Sequence, residues 1–209
     1  MTRSVCILAF DQMEALDFAG PSEVLTTANR MAQRLGLDQP FAVSSVAGAS
    51  TIRTRAGLTI LADRLLRDVA DVDVVVVPGG ATSDVEHDVG VRTWLASVAP
   101  RPDVVASVCT GVFLLAAAGV VTDQEVTTHW EDVDELSERY PDLRVRRDVR
   151  RVDQGSLVTS AGISAGIDMS LHLVERLVST VLAVATAPSW IMTGDNDERR
   201  RRPTERMTT

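Results

Sequence analysis

Val104-Val105-Ala106-Ser107-Val108-Cys109-Thr110-Gly111-Val112-Phe113-Leu114-Leu115 passes from a short apolar strand into a helix with only Cys109-Thr110-Gly111 between them. The strand side is β-branched and buried by composition; the helix side is rich in Ala and Leu and ends near Gly119. A strand that turns this sharply into a helix is the basic unit of a parallel sheet. Working outward, Val74-Val75-Val76-Val77 is apolar at every position, as expected of a strand covered on both faces, and it is closed by Pro78-Gly79-Gly80. Val5–Phe10 is another apolar run of strand length, followed by helical spacing from Phe18 to Leu35 that ends near Gly36. Phe41–Val46 reads as a strand, Leu58–Leu61 as a short strand or half of a hairpin, and Val91–Val98 as a helix. Downstream, Val126–His129 reads as a strand, Glu131–Tyr140 as an amphipathic helix, Leu157–Ser160 as a strand and Ser164–Leu177 as an apolar-rich helix. Alternating strands and helices with short links predict an α/β fold, a doubly wound and largely parallel sheet.

The length of 209 residues suits one large α/β domain. We assign residues 1–194 to it and expect 195–209, with Arg199-Arg200-Arg201-Arg202, to be a flexible tail too poor in apolar residues to pack. The 21 basic residues are all arginine, against 29 acidic ones, for a net charge of −8. Without lysine there is no Schiff-base chemistry on a lysine, no Gly-Lys-Ser/Thr phosphate loop and no Ser–Lys dyad. Two cysteines and three histidines, with no CxxC pair, leave no structural zinc site and no disulfide scaffold to expect. No apolar run approaches the roughly 18 residues that span a membrane, and the start reads as a strand, so a cytoplasmic protein is expected. The acidic balance argues against specific nucleic-acid binding.

Cys109 is the first candidate for chemistry. It sits at the carboxyl edge of the sheet, where open α/β folds place their sites, ahead of a helix N-terminus expected to lower its thiol pKa; the alternative is a packing cysteine. Cys6, inside the first strand, reads as core. Gly79-Gly80 offers bare amides at the same edge, which with the Thr110 amide are suited to hold a developing negative charge, or else it forms a turn needing positive φ. Asp17 lies among apolar neighbours, where desolvation raises a carboxyl pKa toward acid–base use, unless it caps the first helix. Glu23 is expected on the polar or partner-facing side of that helix. His129 closes a strand just before a helix, close to the thiol or bonded locally. His87 and His172 read as structural or solvated.

Four motifs in order, Val77-Pro78-Gly79-Gly80, Ser107-Val108-Cys109-Thr110-Gly111, Thr127-Thr128-His129-Trp130 and Thr159-Ser160-Ala161-Gly162-Ile163-Ser164-Ala165-Gly166-Ile167-Asp168, resemble the ThiJ/PfpI superfamily over roughly residues 3–185. The resemblance implies a flavodoxin-like, class I glutamine amidotransferase-like fold with the cysteine on a strained nucleophile elbow, and a homodimer. Within the superfamily the chain is similar to the isocyanide (isonitrile) hydratases, which share the acid near the first strand, the Gly-Pro pair after it and the threonine behind the nucleophile. That likeness makes Cys109 the nucleophile and Asp17 the general acid/base, with Thr110 contributing to the site and Gly80 an amide donor. It implies a small-molecule substrate and no cofactor or metal. PfpI-type proteases carry a histidine where this chain has Thr110, which disfavours peptidase activity. The chain also resembles the amino-terminal domains of AraC-family regulators, including over Glu135–Asp148. With about two dozen residues beyond the core there is no room for their helix-turn-helix pair, so on that reading a stand-alone ligand- or redox-sensing domain is expected.

Overall fold

The computed structural model describes residues 1–189, so the tail expected from Asp195 and the last residues assigned to the domain lie outside the described residues. In chain order the strands are β1 Arg3–Ala9, β2 Phe41–Ala47, β3 Thr51–Arg53, β4 Thr59–Leu61, β5 Arg64–Leu65, β6 Val74–Val77, β7 Val104–Val108, β8 Glu125–Val126, β9 Arg144–Val145, β10 Arg151–Asp153 and β11 Leu157–Ser160. The helices are α1 Ala15–Arg34, α2 Val89–Val98, α3 Gly111–Ala117, α4 Val133–Arg139, α5 Ser164–Leu177 and α6 Thr180–Thr186.

Seven strands form the central sheet in the order β10-β11-β7-β6-β1-β2-β5. Every pairing in it is parallel except that of β10 with β11. Strand alternation sorts the apolar residues into two layers. Val5, Ile7, Val74, Val76, Val104 and Ala106 face α1, α5 and α6, packing on Leu25, Ala28, Met169, Leu173 and Leu182. Cys6, Leu8, Val75, Val77 and Val105 face the opposite layer, against Leu95 of α2 and Val112, Phe113 and Leu115 of α3. All four valines of β6 are buried, as their run requires. At about 1.5–3 kcal/mol for each fully buried Val, Leu, Ile or Phe side chain, this two-sided core is the main support of the sheet. Gly20 lets α1 close on α5, because a Cβ there would stand 3.1 Å from Ile167 Cγ1.

Three local readings change. α1 begins at Ala15, so Asp17 lies in its first turn, and Glu14 is the N-cap. The expected strand Val126–His129 shrinks to Glu125–Val126, paired with β9 in a separate two-stranded sheet. Beyond it, hydroxyls and carbonyls replace a strand ladder: the Thr127 amide donates to Thr159 Oγ1 and Thr127 Oγ1 to the Arg146 carbonyl. The expected helix Glu131–Tyr140 divides into a 3-10 turn over Trp130–Asp132 and α4. Leu58–Leu61 does form half of a hairpin, as β4 pairs antiparallel with β3. Pattern reading gave no sign of β5, β9, β10 or α6, which are short and owe their form to pairing and packing.

Candidate functional site

β6 and β7 lie side by side and end at the same sheet edge, so Pro78-Gly79-Gly80 and Cys109-Thr110-Gly111 meet there. Cys109 has φ of +56°, a conformation non-glycine residues rarely adopt, so the expected elbow is present. Its backbone is tied on both sides: its amide donates to the Ser160 carbonyl (3.0 Å), and its carbonyl accepts from Thr128 Oγ1 (3.0 Å). Two glycines make the turn possible. A Cβ at Gly111 would meet the Val77 carbonyl at 2.2 Å, and one at Gly79 would meet the Thr110 amide at 2.7 Å.

Asp17 reaches this edge from the first turn of α1 and is completely buried. It does not cap the helix. Its Oδ1 accepts the amide of Ile163 (3.0 Å), which sits at φ +54° just ahead of α5. Its Oδ2 has no hydrogen-bond partner, and the Cys109 side chain lies beside the carboxyl. Burial raises the Asp17 pKa, as expected of a carboxyl among apolar groups, while the Ile163 amide and the thiol hold the rise in check.

The thiol behaves otherwise than expected. Burial, and then the negative charge of Asp17, push the Cys109 pKa up to about 12, and the Thr110 amide offsets only part of this. The expectation of a depressed pKa is corrected: α3 has a single short run of seven residues, and its N-terminal field is outweighed by desolvation and by the adjacent carboxylate. At neutral pH Cys109 is therefore a thiol with a carboxyl group beside it.

Thr110 and Gly80 engage each other. The Gly80 amide donates to Thr110 Oγ1 (2.9 Å), and the same hydroxyl donates to the Gly80 carbonyl (2.9 Å). The Gly80 amide is thus committed to the turn in this state, and the Thr110 amide is the one directed at the sulfur. Gly80 itself has φ of +143°, and a Cβ there would meet the Gln12 carbonyl at 2.4 Å, so the turn requirement weighed for it in the sequence is real.

His129 stands at the site's edge, capping the turn over Trp130–Asp132. Its Nδ1 lies 3.4 Å from both the Glu131 amide and Asp132 Oδ2. Its other edge is packed on Gly162: a Cβ there would meet His129 Cδ2 at 2.7 Å and Cys109 Sγ at 3.2 Å. No hydrogen bond joins the His129 ring to the thiol, so Asp17 is the titratable partner of Cys109. Of the other sequence candidates, Glu23 and His87 are exposed, His172 pairs with Asp153 at 2.6 Å, and Cys6 is buried in β1. Sequence reasoning missed Gly162, Ile163 and Thr128 as individuals. Their motifs were visible, but their roles lie in backbone contacts between segments far apart in the chain. Among the described residues no cluster of His, Cys, Asp and Glu is arranged to hold a metal ion. No helix among them is long and apolar enough to cross a membrane.

A cysteine on a strained strand–helix elbow, at the carboxyl edge of a mostly parallel flavodoxin-like sheet, defines the class I glutamine amidotransferase-like group of α/β proteins. Within it, the chain belongs to the DJ-1/PfpI family, whose sequence profile matches residues 3–176. It is 33% identical over 180 residues to an isonitrile hydratase of Pseudomonas putida, covering 85% of this chain and 73% of that protein. It is 26% identical over 192 residues to the HTH-type transcriptional regulator CdhR of Pseudomonas aeruginosa, covering 92% of this chain and 56% of the regulator. Among solved structures, a ThiJ/PfpI family protein of Pseudomonas syringae superposes with a TM-score of 0.79 at 24% identity, over 90% of this chain and 74% of that one.

Proposed function

We propose that the chain is a cysteine-dependent, cofactor-independent hydratase that converts isocyanides to N-formamides. The observation that carries this reading is the buried Asp17 carboxyl set against a Cys109 thiol whose pKa is raised. A thiol of this kind needs a local base, and a carboxyl with raised proton affinity is a better base than an exposed one. Asp17 takes the thiol proton as sulfur bonds to the terminal isocyanide carbon, then returns it to that carbon, giving a thioformimidate, R–N=CH–S–Cys109. Water attacks the same carbon while Asp17 takes its proton and delivers it to the imine nitrogen, giving R–NH–CH(OH)–S–Cys109 and leaving Asp17 ionised again. The resulting hydroxyl proton passes to the sulfur as the carbon–sulfur bond breaks, releasing R–NH–CHO and the free thiol. The Thr110 amide stabilises charge on the sulfur as it leaves. The chain consumes one water and no redox partner. Similarity to the isonitrile hydratase supports the reading.

The test is turnover of a panel of alkyl and aryl isocyanides by the purified chain, with the formamide identified as product. If none yields formamide, the reading fails. The second reading is then adopted, a sensing domain related to those of the regulators the chain resembles. On either reading we propose a homodimer without specific DNA binding by the folded body. Exposed Leu16 on α1, together with Leu58 and Leu61 at the β3–β4 hairpin, supplies apolar surface suited to a second copy. Sedimentation of the wild type as a monomer at micromolar concentration counts against the dimer.

A further inference from the structure

A cavity of about 630 Å³ lies away from Cys109. It opens beyond the carboxyl ends of β1, β2 and β6, lined by Phe10–Gln12, Gly48–Ala49, Ala81 and Ser83–Val85 together with the start of α2. β1 and β6 are neighbours, yet α1 leaves β1 on one face of the sheet while α2 leaves β6 on the other. Such a divergence opens a crevice at the strand ends, the usual place for small-molecule sites in open α/β sheets. Here the crevice is divided. Met13 and Gly80 form an antiparallel bridge, the Ala81 amide donates to the Gln12 carbonyl, and the Glu14 amide donates to the Gly79 carbonyl. Gln12 and Ala81 of this wall line the cavity, whereas Asp17, Cys109 and Thr110 do not.

The cavity's chemistry is two-sided. Its floor is apolar and buried, formed by Ala9, Phe10, Ile52, Leu66 and Val91. Its mouth carries Asp11, Asp84 and Asp88, all exposed, and no basic side chain lines it. None of the three carboxylates forms an ion pair with a described residue; Asp11 accepts the Arg53 amide and Asp88 caps α2 through Gly90 and Val91. A second hollow of about 480 Å³ shares Gly48, Leu66 and Gly90 with it and extends the apolar surface along Trp94 and the exposed Val89, with Arg67 on its lining.

We infer that this groove is a second binding site, distinct from the Cys109 centre, for a small organic cation with an apolar body, its charged head among Asp11, Asp84 and Asp88 and its apolar part over Phe10, Ile52 and Leu66. Net negative charge at the mouth selects the sign of the head, and the buried floor rewards an aliphatic chain. The inference does not depend on isocyanide turnover, because no lining residue takes part in the thiol chemistry.

The test is calorimetric titration of the full chain with n-hexylammonium chloride, alongside n-hexanol and sodium hexanoate, for the wild type, Cys109→Ser and the Asp84→Asn/Asp88→Asn double variant. Asparagine keeps the cap of α2, so the double variant is expected to fold. Saturable hexylammonium binding is expected in the wild type and equally in Cys109→Ser, weakened roughly tenfold in the double variant, with salt weakening it further. Hexanol should bind more weakly and hexanoate not at all. Absence of binding at millimolar hexylammonium, equal binding of hexanoate, or an unchanged double variant would each overturn the site, whatever the outcome of the turnover assay.

Discussion

Cys6 and Cys109 lie on the same sheet, in β1 and just past β7, and burial raises the pKa of both thiols. Their surroundings are otherwise opposite. Cys6 is mid-strand and closed in by the α2–α3 layer, with only Ser44 Oγ within hydrogen-bonding reach of its sulfur at 3.5 Å. Cys109 is half-buried at the strand's end, held at positive φ, with a carboxyl beside it and a glycine on its other side. A low resting pKa is not what separates the two thiols. The difference lies in access and in a carboxyl group placed beside the sulfur.

The strongest way to break this comparison is to remove each thiol. Cys109→Ala is expected to abolish formamide production. Cys6→Ala is expected to leave turnover within about twofold of wild type and to cost about 1 kcal/mol of stability through the small cavity it creates. Equal losses of activity from the two variants would dissolve the distinction.

Asp17→Asn removes the base while keeping the shape. Turnover should fall by about 10²–10⁴-fold, the range for loss of a general acid/base. Wild-type activity should decline as pH falls through a value above the ordinary carboxyl range, since Asp17 must be ionised to take the thiol proton. Stability moves the other way. Because the folded-state pKa of Asp17 is raised, the folded protein holds this proton where the unfolded chain has lost it. The wild type therefore loses stability as pH rises from the ordinary carboxyl value through the raised one, and bears the full cost above it. Thermal unfolding at neutral pH should show Asp17→Asn more stable than wild type, with the advantage vanishing once the pH falls below the ordinary carboxyl range. A variant less stable at neutral pH would contradict the desolvated carboxyl.

Alkylation sharpens the same contrast. In the native protein iodoacetamide should modify Cys109 at least about tenfold faster than Cys6, which is exposed only on unfolding. The Cys109 rate should keep rising with pH beyond the range where an unperturbed thiol levels off, because this thiol ionises at about 12. A plateau near neutral pH would instead restore the activated thiolate that the helix N-terminus suggested.

A smaller loss of turnover than at Cys109 or Asp17 is expected at the far wall of the site. A methyl group at Gly162 would crowd both His129 and the sulfur, so Gly162→Ala should lower turnover by roughly tenfold while the fold persists, because the contact is with the end of a side chain. Circular dichroism together with turnover separates this from unfolding.

Much of the fold was legible because parallel strands are short apolar runs with turns at their ends. Val74–Val77 and Val104–Val108 announce buried strands, and Cys109-Thr110-Gly111 announces the elbow. The short edge elements were not legible. β5 and β9 are two residues long and exist only because a neighbour pairs with them. Thr127-Thr128-His129 carries a strand-like pattern, yet its threonine hydroxyls bind the Arg146 and Cys109 carbonyls instead of extending a ladder.

At the site, residue types and spacing by themselves singled out Cys109, the need for glycine around it and the family resemblance, since these depend on a local turn between one strand and the next helix. Whether Asp17 capped a helix or lay beside the thiol was decided only by folding. Its partner, the Ile163 amide, lies 146 residues along the chain, and packing of α1 against α5 brings the two together. The ionisation of Cys109 was decided in the same way. A helix N-terminus is visible in sequence, but the burial and the neighbouring carboxylate that overcome it are set by tertiary packing, because desolvation and charge act through space rather than along the chain.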